Sequence, residues 1–327
     1  MYIMKLLIVN QKFDGYPYSN SPELPYRIPN NQFSNFNWII KTTTEIPRLR
    51  PHLLVQEFGE LPNVILIWMN LKYIQRNIYF FKTVSKHKAK YNVKTCWYFD
   101  DVHNNVINRR SAIQHIDVIL NSYEYYLHNY YSGVLKHTYW FPHSVNEILL
   151  NKISFNANPV NKLLLSGSVS ENVYPARYKV SKILEYDDRI VRLSHPGYNI
   201  ANPKHDLCGH NYYKYMNNFL ACFTCCAFQN RPYVVAKFFE IIACGSCLIA
   251  YDTPVKEQLK KLGFIDGVNY IGCEDNYESI KEKIDFVLNP QNRALVNEIR
   301  HAGYCLSSER HFMIDRVEEF CEYIEKL

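Results

Sequence analysis

The stretch Lys237-Phe-Phe-Glu240-Ile-Ile-Ala243-Cys-Gly245-Ser-Cys247-Leu-Ile-Ala250-Tyr-Asp252 decides the fold class. Its first half spells a short helix whose apolar residues surround one carboxylate, Glu240. Gly245 stands where a helix ends in a left-handed residue, a conformation glycine adopts without steric cost. Residues 247–250 are continuously apolar, the character of a strand buried on both faces of a parallel sheet. A carboxylate on so apolar a helix is costly unless a partner satisfies it. A ligand offering paired hydroxyls would be such a partner, which makes Glu240 a candidate binding residue.

Working outward, strand and helix signals alternate. In the first half, strands are expected at 5–10, 63–69, 94–99, 117–121 and 136–141, with helices over 71–90 and 124–131. Residues 11–51, rich in Pro, Asn and Tyr and without an expected strand, contain a long irregular loop, and long loops after the first strand of such sheets are more often functional than idle. In the second half, a strand at 162–166 runs into the small-residue loop Ser166-Gly167-Ser168. A helix over 178–186, a strand at 190–193 ending near His195-Pro-Gly197, a helix over 212–218 and a strand at 220–227 lead to the opening stretch. Such alternation implies parallel, doubly wound α/β sheets. The organisation expected is one domain over 1–150, a second over 151–310 with a linker at 146–161, and a terminal helix over 311–327 packing back towards the first domain.

Composition narrows the function classes. With 47% hydrophobic and 21% charged residues the chain is globular rather than disordered. Its 27 Tyr and 18 Phe, alongside many Asn, Ile and Lys, reflect AT-rich codon usage rather than an aromatic binding surface. No apolar run reaches the ~20 residues that span a bilayer, and the first ten residues read as a strand rather than a signal peptide. The ten cysteines lie mostly in apolar contexts, which fits a reducing compartment and a cytoplasmic protein. Cys222-x-x-Cys225 and Cys244-x-x-Cys247 match the spacing of a zinc ribbon, but they fall in an apolar strand and at a helix end, so packing and not zinc is expected. The net charge of +6 is mild, with no stripe of clustered Lys/Arg and no nucleic-acid recognition motif of the usual kinds, so nucleic acid is not an expected partner.

The opening stretch resembles the donor-binding motif of "group 1" glycosyltransferases of the GT-B fold, a basic-x-x-Glu-x-x-Ala-x-Gly helix followed by a strand ending near Asp. Here these positions are Lys237, Glu240, Ala243, Gly245 and Asp252. Further along, Phe264-Ile-Asp-Gly-Val-Asn-Tyr-Ile271, Leu288-Asn-Pro-Gln-Asn-Arg293 and His311-Phe-Met-Ile-Asp-Arg316 resemble the family's later motifs in the same order. Trp140-Phe-Pro-His-Ser-Val-Asn146 resembles its interdomain segment, with Ser144 and Asn146 replacing the usual Gly and Asp. The resemblance implies two Rossmann-like domains facing a cleft, the second binding a nucleotide-diphosphate sugar and the first an acceptor, which could be glycan, lipid or protein. It also implies that a hinge motion between the domains closes the cleft. Pro232 stands where the glutamate-pair version has its first glutamate, which points to the single-glutamate, CgeB-like subfamily and leaves retention or inversion open.

The resemblance assigns Glu240 to the ribose. The backbone at Gly167 and Ser168, the side chains of Arg177, Lys237 and Arg231, and the N–H groups of Val234 and Val235 at a helix expected to start near Tyr233 would meet the diphosphate. His195 would line the base pocket. Asp101 and His103, after the third strand, are the candidate catalytic residues, as general base if the reaction inverts and as acceptor-orienting groups if it retains. Asp14, Tyr16 and Arg27 are further acceptor-side candidates. No Asp-x-Asp motif stands at a strand end, so neither metal nor cofactor is expected. Peripheral membrane contact stays open. A sugar-nucleotide epimerase on the same fold, and a non-catalytic GT-B binding or scaffold module, are the alternatives.

Overall fold

The computed structural model describes residues 4–10, 36–68, 70–99, 105–124, 126–150, 152–195, 207–227 and 232–326. The chain divides into two compact units, Met1–Pro142 with Phe320–Leu327, and His143–Glu319. The division thus falls before the expected linker, and the end of the chain belongs to the first unit.

In chain order the first unit holds β1 (Met4–Asn10), β2 (Phe36–Thr42), α1 (Pro51–Phe58), β3 (Val64–Trp68), α2 (Leu71–Arg76), α3 (Ile78–Lys86), α4 (Lys88–Tyr91), β4 (Lys94–Tyr98), α5 (Val106–Ile113), β5 (Val118–Asn121), α6 (Tyr126–Tyr131) and β6 (His137–Trp140). Its sheet runs β2-β1-β3-β4-β5-β6, and every pairing is parallel. β3 is buried along its whole length, as its unbroken run of apolar residues requires, and Trp68 stacks on Tyr98 of β4 at 4.0 Å.

Two expectations fail here. β2 lies inside the segment read as loop: Phe36–Thr42 pairs with β1 residue for residue, from Met4↔Phe36 to Asn10↔Thr42. The expected helix over 71–90 is three helices. Asn77 makes the first break: its side chain accepts from the Leu49 N–H at 2.7 Å and donates to the Tyr73 carbonyl at 3.0 Å, so tertiary contact competes with the helical ladder. His87 separates α3 from α4, and Asn92, at φ +45°, ends α4 in the left-handed region that asparagine tolerates.

The second unit holds β7 (Val160–Ser166), α7 (Pro175–Ile183), β8 (Ile190–Leu193), α8 (Gly209–Asn217), β9 (Phe219–Cys225), α9 (Lys237–Ala243), β10 (Cys247–Tyr251), α10 (Lys256–Lys261), β11 (Ile271–Cys273), α11 (Tyr277–Leu288), α12 (Arg293–Arg310) and most of α13 (Met313–Glu325). Its parallel sheet runs β11-β10-β9-β7-β8. β9 is the central strand and is buried at every position.

The motifs that suggested the fold act as punctuation. Gly245 ends α9 at φ +70°, and an added Cβ would lie 2.9 Å from the Phe155 ring. Arg300 of α12, wholly buried, donates from Nε to the Gly245 carbonyl at 2.9 Å and from Nη2 to the Asn156 carbonyl at 2.8 Å. In the 264–271 turn, Asn269 accepts from the Ile265 N–H and donates to the Gly263 carbonyl, while Asp266 accepts from the Gly272 N–H. Arg316 donates to His311 Nδ1 at 2.8 Å, which leaves the proton on Nε2 to be donated to the Leu262 carbonyl at 2.8 Å. Tyr270 donates to buried Asp252 at 2.6 Å, and burial raises that carboxyl above its ordinary value.

Candidate functional site

The strand ends of β7, β8 and β9 and the starts of α7 and α9 bring most of the described candidate residues together in the second unit. β7 ends at Ser166, and Gly167 turns the chain at φ +88°. A Cβ on Gly167 would lie 3.3 Å from Arg177 Nη1 and 3.6 Å from Lys237 Cε, so both cations crowd this turn. Ser168 sits on the same loop and accepts from the Ser170 N–H at 3.4 Å.

Arg177 is carried inward by α7, whose first helical residue is Pro175, and is only 3% exposed. Its Nη2 donates to Thr224 Oγ1 of β9 at 2.6 Å, and its guanidinium lies 4.2 Å from the Tyr174 ring centroid. Its Nε is buried with no hydrogen-bond partner among the described residues. Beside it Arg192 of β8 donates to the Leu165, Leu193 and Gly167 carbonyls, the last at 2.6 Å. Burial and then the charge of Arg177 lower the Arg192 pKa, so the two guanidiniums repel. Neither meets a carboxylate among the described residues. Two cations at a glycine turn, one buried and one half-buried, with no carboxylate beside them among the described residues, are what an anion requires.

Lys237 opens α9. Its Nζ is 2.7 Å from Glu240 Oε2 and 4.4 Å from the Tyr212 ring centroid, while the Tyr212 hydroxyl is 2.8 Å from Ser166 Oγ. Burial opposes the Lys237 charge, but the facing Glu240 carboxylate and Tyr212 outweigh it and the pKa rises. Burial pushes the Tyr212 phenol up to about 12, so it stays protonated and available to donate. Glu240 is 8% exposed; its Oε2 is held by Lys237, and its Oε1 has no partner among the described residues.

One expectation is corrected here. α9 begins at Lys237 and not near Tyr233, because Tyr233 is held in an antiparallel bridge with Ala227. Val234 and Val235 are buried and precede the helix, so their N–H groups do not form its first turn. His195 follows the end of β8 and is half-buried. Asp101, His103 and Arg231, with Asp14, Tyr16 and Arg27, lie outside the described residues.

Sequence reasoning missed Arg192, Tyr212 and Thr224. Arg192 carried a usable signal, being the one charge inside the strand Ile-Val-Arg-Leu. Tyr212 carried none in a chain with 27 tyrosines. Among the described residues, no group of three or more His, Cys, Asp or Glu is arranged to hold a metal. All ten cysteines are free, and Cys222, Cys225, Cys244 and Cys247 are buried with thiols raised by that burial.

Comparison with known proteins agrees with this architecture. Residues 167–322 match the family described as Glycosyl transferase-like. Among the solved structures, HepE of Anabaena in complex with UDP-glucose is 12% identical, with a TM-score of 0.57 over 99% of this chain and 100% of that one. A glycosyltransferase from Rickettsia africae is 11% identical, with a TM-score of 0.57 over 99% and 98%. Trehalose-6-phosphate synthase OtsA is 8% identical, with a TM-score of 0.56 over 99% of each chain. No curated protein matches in sequence. The chain has the fold of the GT-B glycosyltransferases, two α/β domains with parallel sheets, and the family match falls in its second half. No helix among the described residues is long and apolar enough to cross a membrane.

Proposed function

We propose that the protein transfers a sugar from a nucleotide-diphosphate donor to an acceptor, with the donor held by the second domain and the acceptor by the first. The observation that carries this reading is the pair of buried Arg177 and half-buried Arg192 at the Gly167 turn, two cations that meet no carboxylate among the described residues. A diphosphate supplies the missing charge. Gly167 lets its oxygens approach the backbone, and Arg177 and Lys237 reach them from α7 and α9. Arg192 fixes the turn through the Gly167 carbonyl. Glu240, whose Oε2 is held by Lys237, accepts from the ribose hydroxyls through Oε1.

In the transfer, the bond from the anomeric carbon to the diphosphate oxygen breaks and negative charge grows on that oxygen. Preorganised cations stabilise such charge without needing to move, so these side chains can serve the leaving group without a metal. Pro232 in place of a glutamate fits the single-glutamate, CgeB-like version and a retaining transfer in which the donor phosphate takes the acceptor proton. In an inverting enzyme Asp101 or His103 would take it. UDP-glucose, which HepE binds, is the first donor to try.

The test is release of nucleoside diphosphate from a panel of nucleotide sugars, with and without glycan, lipid and peptide acceptors, in wild type and Glu240→Ala. Acceptor-dependent release by one donor, lost in the variant, is expected. Pro232 also favours a second reading, a non-catalytic nucleotide-binding module on this fold. Saturable nucleotide binding with no release under any acceptor would select it.

A further inference from the structure

The first unit carries a basic surface. Between Glu60 and Asp100 the chain has no Asp or Glu, while lysines recur throughout. Folding into α3 gathers them: Tyr79, Lys82 and Lys86 are exposed at three- and four-residue spacing, while Phe80, Phe81 and Val84 of the same helix are buried. Lys88 and Lys90 of α4 are exposed as well. Lys136 joins the patch, bonding Ser85 of α3 at 3.1 Å. Among the described residues, buried Asp117 pairs with this patch, 2.6 Å from Lys88 and 3.7 Å from Lys136. Lys82, Lys86 and Lys90 have no ion-pair partner among the described residues. The field is felt by His115, whose pKa is lowered by burial and then by Lys82 and Lys136. Lys82, Lys86, Lys88 and Lys90 also lie close together in the sequence, and the fold adds Lys136 to them.

We propose that this face docks the protein on an anionic phospholipid bilayer. Its cations are all lysines, compact charges on flexible stems that suit the diffuse charge of a lipid surface. Base recognition instead favours the arginine fork. Tyr79, 83% exposed, is an amphipathic ring of the kind enriched at membrane interfaces. A lone ring on an exposed helix face provides no series of stacking platforms for nucleotides.

Co-sedimentation with vesicles of phosphatidylcholine alone, and of phosphatidylcholine with phosphatidylserine, tests this on the full chain. Binding to the anionic vesicles only, weakening as salt rises, is expected. Lys82→Glu with Lys86→Glu lowers the partition coefficient at least about tenfold with an unchanged melting temperature, whereas Lys256→Glu with Lys260→Glu, the same charge change on α10, leaves it within about twofold. Tyr79→Ser, at an exposed position, weakens binding without altering its salt dependence. Equal binding to neutral vesicles, no binding to either, equal losses in the two double variants, or displacement of the protein from anionic vesicles by equimolar duplex DNA or RNA would each overturn the proposal.

Discussion

Arg177 is the residue on which the site turns. A buried cation is ordinarily tied to a carboxylate; among the described residues this one has Thr224, the Tyr174 ring and an unbonded Nε. A phosphate about 4 Å away would gain roughly 4 kcal/mol of gross Coulomb attraction at an effective dielectric near 20. Arg177→Met is therefore expected to weaken nucleoside-diphosphate binding by more than about tenfold while leaving the ligand-free melting temperature unchanged or higher, since an unneutralised buried charge is removed. Calorimetry and thermal melting on the same preparation check both halves. A large fall in melting temperature with intact binding would make Arg177 a structural residue. The Lys237–Glu240 pair behaves differently. Lys237→Met strands a buried carboxylate and should destabilise by about 2–4 kcal/mol, and adding Glu240→Gln should recover part of that. Urea unfolding of both singles and the double gives the coupling. Glu240 and Gly167 stood out in the sequence because each breaks a local pattern, an acid in an apolar helix and a glycine at a strand end, whereas Arg177 was suggested by the family resemblance. Arg192 and Tyr212 act through partners far off in sequence, Gly167 and Ser166, and only the fold shows those contacts.

At the scale of elements, the α9 stop is the feature on which several contacts meet. Gly245 takes φ +70°, Phe155 fills the space a Cβ would need, and Arg300 holds the carbonyl. Gly245→Ala is expected to cost about 2–3 kcal/mol, combining left-handed strain with a clash against a packed ring. Arg300→Met leaves the Gly245 and Asn156 carbonyls without this donor and should cost about as much. Thermal melting of either variant checks this, and a shift below about 1 °C would show that the stop is not anchored as described. The helix stop and the buried strand after it were readable because turn chemistry and continuous apolarity are local. β2 was not, since Phe36-Asn-Trp-Ile-Ile-Lys-Thr42 sits in a polar, proline-rich stretch and becomes a strand by pairing with β1. The three helices over 71–91 were merged for the converse reason: their breaks at Asn77 and His87 carry neither glycine nor proline, and Asn77 is engaged by Leu49 from outside the segment.

At the scale of the molecule, the alternation of strands and helices gave the two parallel sheets, while strand order and the division after Pro142 emerge only from packing. Global stability carries a pH signature from one of the family-like motifs. Burial and then Arg316 depress His311 from 6.5 to about 3, so between those values the unfolded chain binds a proton that the folded chain refuses. Stability therefore falls as pH drops below 6.5, by at most about 1.4 kcal/mol per pH unit from this group. His311→Gln should flatten the melting temperature between pH 6.5 and 4.5, and an unchanged slope would remove His311 as its source. The central claim, that the second unit holds a diphosphate at the Gly167 turn, is tested most directly by titrating matched nucleosides, nucleoside monophosphates and nucleoside diphosphates into the wild-type protein by calorimetry. One base series is predicted to bind, with affinity rising by at least about tenfold from monophosphate to diphosphate. No response to any diphosphate, or equal affinity for nucleoside and diphosphate, would contradict it.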